Sequence, residues 1–255
     1  MEGHGEGLFD HEKLDAYQAA LELVTWVEEL LRDRQRTIAA KDHLWRASES
    51  IVRNIVRANS KHTPADRSQT FDVAYGSALE SAACLDVLCA WEALETAHAI
   101  RGKALLDRIV AMLIGLRSTK GRQVGEPKDT YTVKTDRNAE VFFAHERLRV
   151  YQSALRFVHW SAALIQSGPI GLTRGRDLDR HCTSVVLNIA EGNGKFSLAD
   201  RKRFLNIALS SGLQAASSLD ILRARLAISP EGASQGKEHL VEIVAMIGAM
   251  ARSLR

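Results

Sequence analysis

A single register shift maps one half of this chain onto the other, and that constrains the fold more than any figure of composition. Placed 134 positions apart, FDHEKLDAYQAALELVTWVEELL from Phe9 and FAHERLRVYQSALRFVHWSAALI from Phe143 agree at 11 of 23 positions. The matches include His11/His145, Tyr17/Tyr151, Gln18/Gln152 and Trp26/Trp160. The same offset sets Leu44, Arg46, Ser50, Asn54 and Asn59 on Leu178, Arg180, Ser184, Asn188 and Asn193. It then sets Ala65-Asp66-Arg67 on Ala199-Asp200-Arg201, and Leu85-Asp86 on Leu219-Asp220, without a gap. A register kept that long identifies a duplicated unit. Two copies are too few for a solenoid, so each is expected to close on itself. Residues 118–140 are polar, contain Gly and Pro and show no helical period, so they read as a linker between domains 1–117 and 141–255.

Each copy divides into four helix-length segments. Ala, Leu, Arg and Glu are abundant and aromatics make up only 6%, which favours helix. All four prolines lie where helices should start or stop: Thr63-Pro64 and Ser229-Pro230 read as N-cap followed by N1, Pro169 separates two periodic stretches, and Pro127 lies in the linker. Ser197 through Asp200 resembles a capping box with Asp in place of Glu. The segments expected are about 10–34, 40–59, 64–95 and 100–117, then 144–167, 174–191, 198–228 and 231–253. Short connections make neighbours antiparallel, so the fold class is all-α: two tandem antiparallel up-and-down four-helix bundles.

Two helices carry more than a core face. In the first helix of copy 2, Leu148, Tyr151, Leu155, Val158, Ala162 and Ile165 share one side, while Phe157, Trp160 and Leu164 form a second apolar patch. Copy 1 repeats the patch with Leu23, Trp26 and Leu30. Such a patch needs a cover, either inside its own bundle or at a contact between copies or chains. In the second helix a polar stripe runs beside the core face: Arg180, Ser184, Asn188 and Glu191 in copy 2, and Arg46, Ser50, Asn54 and Arg57 in copy 1. An Asn there must be hydrogen-bonded, and bonding to a neighbouring helix is the simpler account. The alternative is that the stripe faces a partner subunit or a polar channel.

Catalytic and cofactor chemistry finds no foothold. A di-iron bundle needs two Glu-x-x-His pairs, and only Glu95 to His98 fits. No P-loop, nucleophile elbow or dinucleotide fingerprint is present, so no catalytic residue, metal ligand or cofactor is assigned and the chain reads as a non-enzyme. His11 and His145 are expected to cap or pack at the start of their helices. Cys84, Cys89 and Cys182 form no paired framework and read as small buried residues of a reducing, cytoplasmic compartment. MEGHGEG lacks the features of a signal peptide, and no apolar run long enough for a bilayer is evident.

Charge separates the copies. Residues 1–118 carry 14 Lys and Arg against 18 Asp and Glu, whereas residues 142–255 carry 15 against 9. The opposite signs suggest either an anion-binding second half or an acidic half docked on a basic one. Lys195, Arg201, Lys202 and Arg203 should cluster at one bundle end beside a Gly192-Asn193-Gly194 turn, where turn amides and a helix N-terminus would suit phosphate. Arg174 and Arg176 belong to the opposite end. No aromatic platform accompanies these residues.

LNIAEGNGKFSLADRKRFLNIALSS, Leu187 to Ser211, together with VYQSALRFVHW upstream and ASSLDIL downstream, resembles the bacterial four-helix bundle family named for proteins encoded in 23S rRNA intervening sequences. The accessory variability protein of diversity-generating retroelements is similar to that family in fold. The resemblance spans most of residues 143–225. It implies a bundle that assembles into rings, often of five units, around a positively lined centre, with association to rRNA or, in the retroelement relative, to a reverse transcriptase and nucleic acid. Two copies per chain do not divide a five-unit ring. Copy 1 departs from the motif, with Arg57 for Glu191, Ala58 for Gly192, and Gly76 where copy 2 has Ser210.

Overall fold

The computed structural model describes residues 9–32, 38–118, 141–167 and 170–254. Of the expected linker, only Ser118, the last residue of a helix, is among them; Pro127 and Pro169 lie outside. The described residues form eight α-helices and no strand: α1 Asp15–Leu30, α2 Ala39–Asn59, α3 Pro64–Ala90, α4 Thr96–Ser118, α5 Arg149–Ser167, α6 Gly171–Gly194, α7 Leu198–Ala224 and α8 Pro230–Ser253. Short 3-10 turns, Asp10–Lys13 and Ala144–Arg147, precede α1 and α5.

The helix starts follow from local chemistry. Thr63 and Ser197 accept the backbone N–H of Asp66 and Asp200, Ser229 accepts that of Gly232, and Pro64 and Pro230 occupy first-turn positions where no N–H is needed. The Tyr-Gln pair belongs to the 3-10 turns. Gln18 and Gln152 donate to the carbonyls of Glu12 and Glu146, at 2.7 and 3.2 Å. His11 and His145 meet the rings of Tyr17 and Tyr151 edge-on, at 5.0 and 4.8 Å between centroids. The repeat extends to backbone strain. Glu92 and Leu226, equivalent residues just past α3 and α7, both sit at positive φ, 53° and 54°. The following N–H in each case returns to the helix, as in a Schellman ending.

In each copy the first helix packs on the second and fourth and the third lies between the second and fourth, closing a bundle. The Trp patch is internal to this packing. Gly102 of α4 and Gly236 of α8 are equivalent, and a Cβ on either would come within 2.5 or 2.6 Å of the Trp26 or Trp160 ring. The glycine lets the indole of the first helix press into the fourth. Trp26, Leu23 and Phe157 are buried there, so the cover is each copy's own fourth helix rather than a second copy or chain.

The copies are not independent. α3 packs on α5 and α6, α2 also touches α6, and a single apolar core runs through both halves. Among the described residues α3 alone is long and apolar enough to pass for a membrane span, and most of that stretch is buried inside the protein. The reason is that α3 is buried on two sides, by its own bundle and by copy 2, which demands apolar residues all round.

Candidate nucleic-acid interface and the joint between the copies

The polar stripe on the second helices is a bracket inside each bundle. Asn54 donates to the Ser50 carbonyl at 2.8 Å and Asn188 to that of Ser184 at 2.7 Å, each within its own helix. The neighbouring helix is reached by the serines instead: Ser50 meets Ser77 of α3, and Ser184 meets Ser211 of α7, both at 2.8 Å. Arg46 and Arg180 turn to Asp42 and Asp177 on the same exposed surface. The stripe therefore links adjacent helices and lines no channel.

The basic residues expected at one end of copy 2 divide into two sets. Gly192-Asn193-Gly194 is not a turn but the last turn of α6. Its glycines serve close packing. A Cβ on Gly192 would stand 3.0 Å from Phe204 Cβ of α7, and one on Gly194 would overlap Leu79 of α3. Lys195 faces the joint between the copies, paired with Glu191 at 2.8 Å and reaching the space above Gly76, where a Cβ would lie 2.7 Å from its Nζ. This explains the Gly76/Ser210 difference between the copies. Burial raises the Glu191 carboxyl above its ordinary range, with Lys195 opposing. Phe196 continues the contact, under the Arg117 guanidinium at 3.8 Å and beside Tyr75. Arg201 donates to the Asn193 carbonyl at 3.0 Å, closing the end of α6.

Lys202 and Arg203 remain exposed. They border an open groove of about 790 Å³ with Ser184, Asn206, Ser210 and Gln214. Arg174 and Arg176 are exposed in the first turns of α6, in the opposite part of the bundle. The structure thus leaves Lys202 and Arg203 exposed, engages Lys195 and Arg201 within the protein, and sets only Arg174 and Arg176 far off; Lys195 and Arg203 flank the Phe204 ring, each 4.7 Å from its centroid.

Three features of the joint were not legible in the sequence. Lys103 of α4 is buried between Asp86 of α3, at 2.5 Å, and Glu146 of copy 2, at 3.2 Å. Asp86 also accepts the Tyr151 hydroxyl at 2.8 Å. Burial alone would lower the Lys103 pKa, but the two carboxylates hold it above the usual range. Burial, with Lys103 adding to it, pushes His145 down to about 3, so that ring is neutral. Asp86, His145 and Glu146 converge as metal ligands might, yet the Lys103 ammonium already supplies the cation between the carboxylates. The second feature is Asp179 of α6. It accepts the N–H of Ala39 at 2.7 Å and so caps α2, whose own N-cap, Ile38, has no side-chain acceptor. Burial raises the Asp179 pKa to about 6. The third is a pair of side-chain bonds to the end of α3, from His159 to the Ala90 carbonyl at 3.0 Å and from Gln166 to the Trp91 carbonyl at 3.1 Å.

Elsewhere, His181 Nδ1 lies 3.1 Å from Ser218 Oγ. Ser218 is buried and its hydroxyl donates to the Gln214 carbonyl, so this pair packs α6 on α7 and presents no nucleophile.

The model of the 23S rRNA-intervening sequence protein family matches residues 12–115 and again residues 146–249. The chain belongs to this family. Both copies match over the same span of the repeat, so copy 1 is a member in its own right despite its departures near Arg57. Comparison with curated proteins and with solved structures found no match.

Proposed function

We infer that this family member is a non-catalytic helical protein that works alongside ribosomal RNA or a ribonucleoprotein, and that copy 2 touches RNA phosphates from the α7 groove. The observation that supports this is the pairing of Lys202 and Arg203, both exposed, at the edge of an open groove where Asn206, Ser210 and Gln214 stand beside Ala199 and Ile207. They lie on the half with the positive balance, as phosphate contact requires. Lys195 and Arg201 are engaged within the protein and hold its shape, so their role is structural. Arg174 and Arg176 would extend the contact only to a ligand that reaches the far end of α6.

The test is binding of a structured ribosomal RNA fragment across a salt series. Each phosphate contact contributes a slope of roughly 0.9 in log K against log salt. Lys202→Glu with Arg203→Glu is expected to flatten that slope by about 2 and to weaken binding at every salt concentration. Binding unchanged at low salt refutes the reading. A second reading, a protein-interaction module that serves a partner such as a reverse transcriptase without touching nucleic acid, is supported by the apolar ridge on α7. Leu213 is 55% and Ile221 49% exposed there.

A further inference from the structure

The joint inside the chain is directional. α3 of copy 1 meets α5 and α6 of copy 2, whereas α7, the counterpart of α3, meets no helix of copy 1. The α7 groove is therefore open, while its counterpart on α3 is closed over Tyr75, Gly76 and Leu79 by the end of α6 and Phe196. The two surfaces have diverged in charge, always in one direction. Ser68, Gln69, Asp72 and Glu80 of α3 stand where α7 has Lys202, Arg203, Asn206 and Gln214. In copy 1 both carboxylates have partners, Arg117 at 2.6 Å from Asp72 and His43 at 3.0 Å from Glu80. In copy 2 those partners are gone as well. Ala251 replaces Arg117, and Asp177, which replaces His43, pairs with Arg180. Each partnered carboxylate has become an exposed carboxamide with no side-chain partner among the described residues.

Lys202, Asn206, Ser210 and Gln214 recur every fourth residue and form one exposed stripe, about 18 Å long at 1.5 Å per residue. α7 carries no Asp or Glu between Asp200 and Asp220. Positive charge sits at one end only, where Arg203 adjoins Lys202; the rest of the stripe is neutral and can both donate and accept. Phosphate contact accounts for the cations and for the lost carboxylates. A ligand held by phosphate alone would favour Lys or Arg along the whole stripe. Carboxamides and a hydroxyl suit a ligand that sets neutral hydroxyls between anionic oxygens, as the ribose–phosphate edge of RNA does. The shape agrees. A recess receives a ridge such as a sugar–phosphate strand, whereas the major groove of DNA takes a protruding helix. No aromatic ring lines the groove, and the nearby Phe204 ring is flanked by Lys195 and Arg203, so single-stranded bases have no stacking platform. In an A-form duplex the ribose hydroxyls lie open along the wide, shallow minor groove.

We propose that the α7 groove reads ribose: it takes the sugar–phosphate edge of one strand of an A-form RNA duplex from the minor-groove side, with Lys202 and Arg203 on phosphates and Asn206, Ser210 and Gln214 on 2′-hydroxyls. Resting on the RNA contact inferred above, it narrows the ligand to duplex RNA and the reader to copy 2.

Binding of the nuclease-treated full chain to four short probes of one sequence tests this. They are an RNA duplex, the DNA duplex, a 2′-O-methylated RNA duplex, which keeps the A-form but blocks the hydroxyl, and single-stranded RNA. The RNA duplex is expected to bind about tenfold tighter than each of the others, the worth of two or three hydrogen bonds. Asn206→Ala with Gln214→Ala is expected to erase the preference over the methylated duplex and to leave the salt slope unchanged. Both residues are exposed, so the circular dichroism should match the wild type. Asn206→Asp with Gln214→Glu, which restores the carboxylates of copy 1, is expected to weaken the RNA duplex further than alanine does. Equal affinity for the RNA and the methylated or DNA duplex, tighter binding of the single strand, or a preference that survives the alanine pair overturns the proposal. A salt slope that still flattens with Lys202→Glu and Arg203→Glu then leaves the phosphate contact standing. Binding of none of the four sinks both readings, and polyglutamate bound as tightly as the RNA duplex overturns the proposal and assigns the groove to an acidic protein segment.

Discussion

The duplication writes one ion pair twice, and burial predicts that its two versions have unequal worth. Lys103 and its partners Asp86 and Glu146 have side chains only 9%, 16% and 9% exposed. In the equivalent pair, Lys237 and Asp220 are 38% and 50% exposed. Changing Lys103 to Met leaves two carboxylates facing each other in a closed joint. Removing one partner from a buried pair costs about 3–5 kcal/mol. Two carboxylates losing one shared cation place this case toward the upper end. Lys237→Met should cost about 0–1 kcal/mol, because water screens what it leaves behind. Urea unfolding of nuclease-treated protein, at concentrations low enough for single chains, followed by tryptophan fluorescence and circular dichroism, measures both. Replacing Asp86 and Glu146 by Leu in the Lys103→Met background should recover much of the loss, since the penalty lies in stranded charge. Equal costs for the two lysines, or a Lys103→Met loss below about 1 kcal/mol, would refute this account of the joint.

Other outcomes follow from single contacts. His145 is held near 3 in the folded chain against an ordinary 6.5, so the unfolded chain takes up the proton first. Its contribution is complete above pH 6.5 and is lost as pH falls toward 3, and urea midpoints of the wild type against His145→Gln across that window check the sign. Asp179 runs the other way. Its pKa of about 6 against 3.8 imposes a cost that is full above pH 6 and is relieved as pH falls from 6 to 4; Asp179→Asn, which still accepts from Ala39, should flatten that part of the profile. Gly194→Val should destabilise by about 1–3 kcal/mol through overlap with Leu79, while Ser60→Val, at the equivalent but exposed position, should change stability little. Leu226→Gly should stabilise by up to about 1 kcal/mol, because the exposed leucine gains no packing for its positive φ; thermal melts read the last two.

Much of the scaffold was legible because it rests on short-range rules. The caps at Thr63, Ser197 and Ser229 are local, and helical periodicity marks an apolar side within a few turns. The Trp26 and Trp160 patch marks the limit of such reasoning. Periodicity reported a second apolar face, and only the glycines on α4 and α8 showed that the cover is internal. Gly192 and Gly194 misled for the same reason. A glycine signals either a turn or a close approach, and the approaching surface is set by packing: Phe204 of the next helix for Gly192, and for Gly194 Leu79, over a hundred positions away in sequence.

The sequence by itself determined that one helical unit occurs twice, where its helices begin, and which residues the copies share. It could not assign different roles to shared residues. Asp86 with Lys103 and Asp220 with Lys237 are the same letters at the same offset, yet one pair is sealed beneath copy 2 and the other is open. Only the tertiary structure decided this, because the joint is directional. A head-to-tail contact between two equal units uses one face of each and leaves the opposite faces bare, and the choice of face is made by packing between distant segments.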